Sequence, residues 1–199
     1  MKPITYPARP INGGPFDKAR PKAGGPWYYE PKYNGWRTLV HIATGTMFNR
    51  LGEVLTITKE FDEALGLLRT TLDAEAFKWA DCEGLQRRHD IGKGTLIVLD
   101  VVPEPTWASA TYLERRAWLK ILWQCFPSNK PEDGTIYRVA QIGPDYAAEY
   151  WRRLQEINQV WACDFFEGLV AKRADSIYPI QLRSPDEAFA GWIKHRWQF

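Results

Sequence analysis

A chain of 199 residues is long enough for one sizeable domain, and 45% hydrophobic with 25% charged residues is the composition of an ordinary folded protein. A net charge of +2 excludes a polycationic, tail-like nucleic-acid binder, although a basic groove can sit on a near-neutral surface. Three scattered cysteines exclude a disulfide framework or a zinc site, no apolar run is long enough to span a bilayer, and MKPITYPARP lacks the apolar core of a signal peptide, so a cytoplasmic, reducing setting is expected.

Residues 1–26 carry Pro3, Pro7, Pro10, Pro15, Pro21 and Pro26, which forbid a long helix. An extended Pro/Gly-rich arm is expected there, lying on a body that runs from 27 to 199. Thr38–Ile42 reads as a strand, and Thr46–Arg50 and Val54–Ile57 continue a meander around Gly45 and Gly52. From Lys59 to Leu72, the residues Phe61, Leu65, Leu68 and Leu72 fall on one helical face. A strand ending near Asp81-Cys82-Glu83 follows, then a turn with Gly92 and Gly94, then a buried strand from Thr95 to Val102. Thr111 with Glu114 forms a capping box. The helix behind it is expected to turn Trp118, Ile121, Leu122 and Cys125 inward. A second helix is expected from about Asp145 to Trp161, with Tyr146, Tyr150, Leu154, Ile157 and Trp161 inward. Gly168–Lys172 and Gly191–Trp197 read as closing strands. There is no internal repeat. Antiparallel strands with interspersed helices predict an α+β fold. Most of the ten tryptophans, including Trp151, Trp161 and Trp197, are expected in the core rather than on a base-stacking surface.

The chemistry concentrates in Glu30-Pro31-Lys32-Tyr33-Asn34-Gly35-Trp36-Arg37. A lysine between a proline and an Asn-Gly turn can be aimed into a pocket. To act as a nucleophile it must lose its proton, which cationic neighbours or burial favour. Alone, such a lysine reads as an ordinary solvated loop residue. Further elements follow in order: Asn49-Arg50-Leu51-Gly52, Asp81-Cys82-Glu83-Gly84, Leu96-Ile97-Val98-Leu99-Asp100, Glu167 to Ser176, and Trp192-Ile193-Lys194-His195-Arg196. Together they resemble the nucleotidyl-transfer motifs of ATP-dependent DNA ligases, with Glu167–Ser176 the closest match, to the ligase modules of bacterial end-joining enzymes. Each motif is short. Their order and spacing from Glu30 to Arg196 carry the resemblance.

The resemblance implies the adenylation (nucleotidyltransferase) fold, ATP-grasp-like, built of antiparallel sheets flanked by helices. It implies a ligase that takes AMP from ATP onto Lys32 and seals nicked double-stranded DNA in repair, replication or recombination. Lys194 and Arg196 would sit by the reacting phosphate, where positive charge stabilises the transition state and helps keep Lys32 deprotonated. Glu83 and Glu167 would face the ribose or hold Mg2+. Glu30 and Lys172 would border the nucleotide pocket. Arg37 and Arg50 would contact AMP or the nick 5′-phosphate, and Leu99 would lie against adenine. Lys18, Arg20, Lys22, Arg87, Arg88 and Lys93 could track a DNA backbone, though solvated loops are the plainer reading. His41, His89 and His195 show no ligand spacing, and no membrane partner is implied. A monomer is the expectation.

The sequence departs from the family pattern in three places. Asn34 replaces the usual aspartate. Leu99 stands where a phenylalanine is usual. No OB domain can be found in these residues, so a separate or missing one is expected. An RNA ligase of the same superfamily and a non-catalytic nucleotide- or DNA-binding module are the alternatives. Asn34 favours the first. Asn34 and the missing OB domain together motivate the second.

Overall fold

In the computed structural model the described residues are 9–18, 26–72, 74–75, 77–85, 93–102, 109–124, 135–179 and 188–197. The expectations placed on Arg20, Lys22, Arg87, Arg88, His89, Gly92 and Cys125 lie outside them.

Two sheets are built from β1 (Arg9–Asn12), β2 (Trp27–Tyr33), β3 (Trp36–His41), β4 (Thr46–Phe48), β5 (Trp79–Gly84), β6 (Leu96–Val102), β7 (Ile136–Arg138), β8 (Phe166–Arg173) and β9 (Ala188–Arg196). One sheet has the order β1-β9-β8-β2, the other β4-β3-β5-β6-β7. Most pairings are antiparallel, while β1 with β9 and β6 with β7 are parallel. Among the described residues three helices complete the α+β fold: α1 (Asp62–Thr71), α2 (Tyr112–Trp123) and α3 (Ala147–Trp161). None is long and apolar enough to cross a membrane among the described residues.

The chain leaves the first sheet and enters the second at Asn34-Gly35, between β2 and β3. Side-chain alternation then divides the core. On β3, Val40 joins the cluster under α1 and α2 with Leu65, Leu68 and Leu119, while Leu39 faces the other way toward Trp79 and Trp192. On the first sheet, Leu169 and Ala171 of β8 pack with Tyr29, Trp151 and Leu154, so α3 covers this sheet. The Pro/Gly-rich segment contributes to that core too, through buried Phe16.

Several elements differ from expectation. β4 stops at Phe48, and Val54 makes only an isolated bridge to it. The Asn49 side chain accepts from the Leu51 and Glu53 amides at 2.8 and 3.0 Å, so a side-chain-held turn replaces the strand. The first helix opens with a 3-10 turn, Thr58–Phe61. The capping box at Thr111 is present, with the Thr111 N–H donating to Glu114 Oε2 at 2.7 Å. However, α2 buries Tyr112, Arg115, Arg116, Leu119 and Trp123. Ile121, expected inward, is 62% exposed, and Trp118 and Leu122 pack only at the edge. The reason is ionic: two arginines turn inward to meet carboxylates on the sheets. α3 is also rotated from its expected face. It buries Ala147, Trp151, Leu154 and Asn158, leaving Tyr146 just before it and Trp161 exposed at 61% and 43%. Asn158 is drawn in because its side chain exchanges two hydrogen bonds with the Phe166 backbone, at 2.8 and 3.0 Å.

Candidate active site

A cavity of about 610 Å³ opens where the two sheets meet. Every sequence-predicted site residue lines it except Glu167, which reaches it through its ion pairs. Arg9, Lys32, Arg37, Arg50, Lys172, Lys194 and Arg196 face the carboxylates of Glu30 and Glu83. That surplus of positive charge suits an anionic ligand.

Lys32 is the penultimate residue of β2, and its Nζ lies 2.5 Å from Glu167 Oε2. The same oxygen lies 3.0 Å from an Arg196 Nη. The reach of Glu167 has a backbone cause. Lys32 pairs with Gly168 and Tyr33 with Phe166, so Glu167 is the extra residue of a β-bulge. Gly168 makes that bulge possible at φ +150°, where an added Cβ would collide with the His195 carbonyl. A second bulge treats Leu99 the same way. Asp81 pairs with Asp100 and Cys82 with Val98, leaving Leu99 unpaired and half-buried at the cavity wall.

Burial pushes the Lys194 ammonium down, helped by repulsion from Arg196, Lys32 and Arg9 and opposed by Glu167. Burial pushes the Glu83 carboxyl up, against the pull of Lys32, of a 3.0 Å hydrogen bond from the Gly35 N–H, and of Arg37. Arg37 is engaged elsewhere: its guanidinium forks onto Asp81 at 3.0 and 2.6 Å and lies over the Trp192 ring. Arg50 is exposed at the mouth. Asn34 is buried and donates to the Asp164 carbonyl at 2.9 Å, where it pins the β2 end to the segment before β8.

Behind the cavity lies a buried ionic network that sequence reading missed. Lys172 Nζ is 2.9 Å from Glu30 and 3.8 Å from Asp100, beneath the rings of Trp192 and Tyr112. Tyr112 Oη donates to Glu30 Oε1 at 2.8 Å. Arg115 forks onto Asp100 at 2.9 and 3.0 Å and donates to the Ala110 and Ser176 carbonyls. Arg116 donates to the Val139 carbonyl at 2.6 Å and lies 3.9 Å from Glu30. Burial alone would raise the Asp100 carboxyl, but Arg115, Lys172 and Arg116 outweigh it and hold it below its ordinary value. The one sequence signal was Asp100 itself, a lone acid within an apolar strand, which requires a buried partner.

No protein-family profile matches the chain, and no curated protein matches it in sequence. Solved structures do match in shape. The ligase domain from M. tuberculosis LigD superposes with a TM-score of 0.63 at 19% identity, over 96% of this chain and 59% of that one. A mycobacterial DNA ligase D complexed with ATP gives 0.61 at 20%, over 97% and 60%. Chlorella virus DNA ligase–adenylate gives 0.61 at 16%, over 98% and 69%.

This is the nucleotidyltransferase fold of ATP-dependent DNA ligases.

The chain spans about three fifths of the length of the LigD ligase domain. Within the nucleotidyltransferase fold, the cavity between the sheets provides a lysine, flanking cations and carboxylates, with Leu99 and Val170 as apolar parts of its wall. Among the described residues no three His, Cys, Asp or Glu side chains form a ready-made metal cage. Magnesium does not need one, since it is commonly held by one or two carboxylates plus substrate phosphates. Glu83 and Glu167 are hard-oxygen donors beside Lys32 and fit that requirement.

Proposed function

We propose that this chain is the adenylation core of an ATP-dependent polynucleotide ligase that seals nicked double-stranded DNA, with Lys32 as the nucleophile. The observation that carries the proposal is the grouping of Lys32, Glu167, Lys194 and Arg196 at a cavity whose lining has more cations than carboxylates.

In the first step Lys32 Nζ attacks the α-phosphorus of ATP. The N–P bond forms, the bond from that phosphorus to the α,β-bridging oxygen breaks, and pyrophosphate leaves with the electron pair. The proton displaced from Nζ passes to solvent, and Glu167, 2.5 Å from Nζ, orients the amine. Lys194 and Arg196 neutralise charge on the transferring phosphate. Glu83 and Glu167 would hold Mg2+, which when bound adds Lewis-acid stabilisation of the phosphate oxygens. Glu30, locked to Lys172, shapes the inner wall, and Leu99 packs against the base. AMP then passes to a 5′-phosphate at the nick, and a 3′-hydroxyl attacks to expel it. Arg50, exposed at the cavity, would meet that 5′-phosphate.

Asn34 supports an intact site more than a decayed one, because its amide has a structural partner that a carboxylate could not donate to. The test is a sealing gel with matched nicked DNA and nicked RNA duplexes, each also supplied with a pre-adenylated nick. Sealing of nicked DNA by wild type and not by Lys32→Ala, with the pre-adenylated nick sealed by both, is the expected result. Preference for the RNA duplex would move the assignment to an RNA ligase. Binding without sealing of any substrate would leave a non-catalytic module.

A further inference from the structure

Arg9 belongs to none of the motifs, yet it lines the nucleotide cavity. Its strand is held there firmly. β1 runs parallel to β9, pairing Arg9 with Ala188 and Asn12 with Lys194. The Gly13 N–H donates to the Lys194 carbonyl at 3.0 Å. Phe16, 2% exposed, anchors the following turn edge-on against Tyr29 and His195. Gly13 admits no side chain, because a Cβ would lie 2.4 Å from Ile193 Cγ2 and 2.7 Å from His195 Cε1. Arg9 is also close enough to Lys194 to help depress it, behind burial, Arg196 and Lys32.

Strand order supplies a direction. The first sheet reads β1-β9-β8-β2. Lys32 stands on β2 at one edge, Lys194 and Arg196 on β9, and Arg9 on β1 at the opposite edge. Phosphoryl transfer places nucleophile and leaving group roughly in line across phosphorus. An attack from Lys32 that runs along this sheet expels its leaving group toward β9 and β1, the side from which Arg9 lines the cavity.

We propose that Arg9 binds the β- and γ-phosphates of ATP and holds pyrophosphate as it leaves. This rests on Lys32 being the nucleophile. As the N–P bond forms and the bond to the bridging oxygen breaks, negative charge builds on pyrophosphate, and a guanidinium fork matches its oxygens.

The test compares equilibrium binding of ATP, pyrophosphate and AMP to the full chain, first stripped of any carried AMP and kept free of Mg2+ so that no adduct forms, for wild type, Arg9→Ala, Arg9→Lys and the exposed α3 variant Arg153→Ala. Arg9→Ala should weaken ATP and pyrophosphate about tenfold or more and leave AMP unchanged, since AMP lacks the groups that Arg9 contacts. Arg9→Lys, with charge but no fork, should fall between. Adduct formation from ATP should slow in step, while sealing of a pre-adenylated nick should not. An equal loss of ATP and AMP binding would assign Arg9 a purely structural role, and no loss of either would remove it from the site. Both outcomes overturn the proposal while leaving the function of Lys32 intact. Failure of wild type to bind any adenine nucleotide would instead refute the proposed function, and the role of Arg9 with it.

Discussion

Asp100 shows how single residues govern this site. It sits fully buried between Arg115 and Lys172, and its carboxyl is held low by them against the effect of burial. A depressed folded pKa contributes stability that is fully present above the unfolded value, about 3.9. It is lost as pH falls from there through the lower folded value. Wild type should therefore lose stability along that acid limb, and Asp100→Asn should lose part of its slope. At neutral pH Asp100→Asn should cost about 3–5 kcal/mol, because Arg115 remains buried without its counter-charge. Urea titrations of both proteins from pH 7 to pH 2 would measure it. Leu99 gives a prediction of the opposite sign. Its bulge aims it into the cavity, so Leu99→Phe should add ring-on-ring contact with adenine and tighten ATP about five- to tenfold, read by calorimetry. At this scale the sequence was legible where motifs named the residue: Lys32, Glu83, Lys194 and Arg196 needed only order and spacing to be singled out. Arg115 and Arg116 were not legible, because an arginine inside a helix reads as a solvated face until the acids opposite it are known.

The elements were legible in existence more than in orientation. Thr111 and Glu114 announced the start of α2, but counting only apolar residues rotated its buried face toward Ile121. The same habit shifted α3 by excluding Asn158, whose amide satisfies the Phe166 backbone at two points. Asn158→Leu should therefore destabilise the protein by about 1–3 kcal/mol despite being more apolar, since two buried backbone groups lose their partners. Thermal unfolding would show it. α3 also ends on Ala162 with φ 50°, a left-handed position that costs an alanine roughly 1–2 kcal/mol. Ala162→Gly relieves that strain at an entropic cost of about 0.5–1 kcal/mol. The expected outcome is a small rise in melting temperature. Both bulges were invisible beforehand, because strand periodicity says nothing about where one extra residue will be accommodated.

At the scale of the whole molecule, the site exists because the chain changes sheets at Asn34-Gly35, so that Lys32 and Arg37 end on different walls of one cavity. No local pattern specifies that crossing. Nor does any local pattern announce that β1 pairs with β9, since the two strands are far apart in sequence and their parallel register depends on close packing at Gly13. The proline-rich segment read as an extended arm lying on the body, and its described residues give the first sheet an edge strand and the core a phenylalanine. The fold is shared with ligase structures at 16–20% identity, which leaves the chemistry to be decided by the residues themselves. The deciding measurement is intact-protein mass before and after incubation with ATP and Mg2+, for wild type and Lys32→Ala, with pyrophosphate added to strip any AMP already carried. The account predicts a gain of one AMP on wild type, reversed by pyrophosphate and absent from Lys32→Ala. A wild type that never carries AMP, or a Lys32→Ala protein that still does, would contradict it.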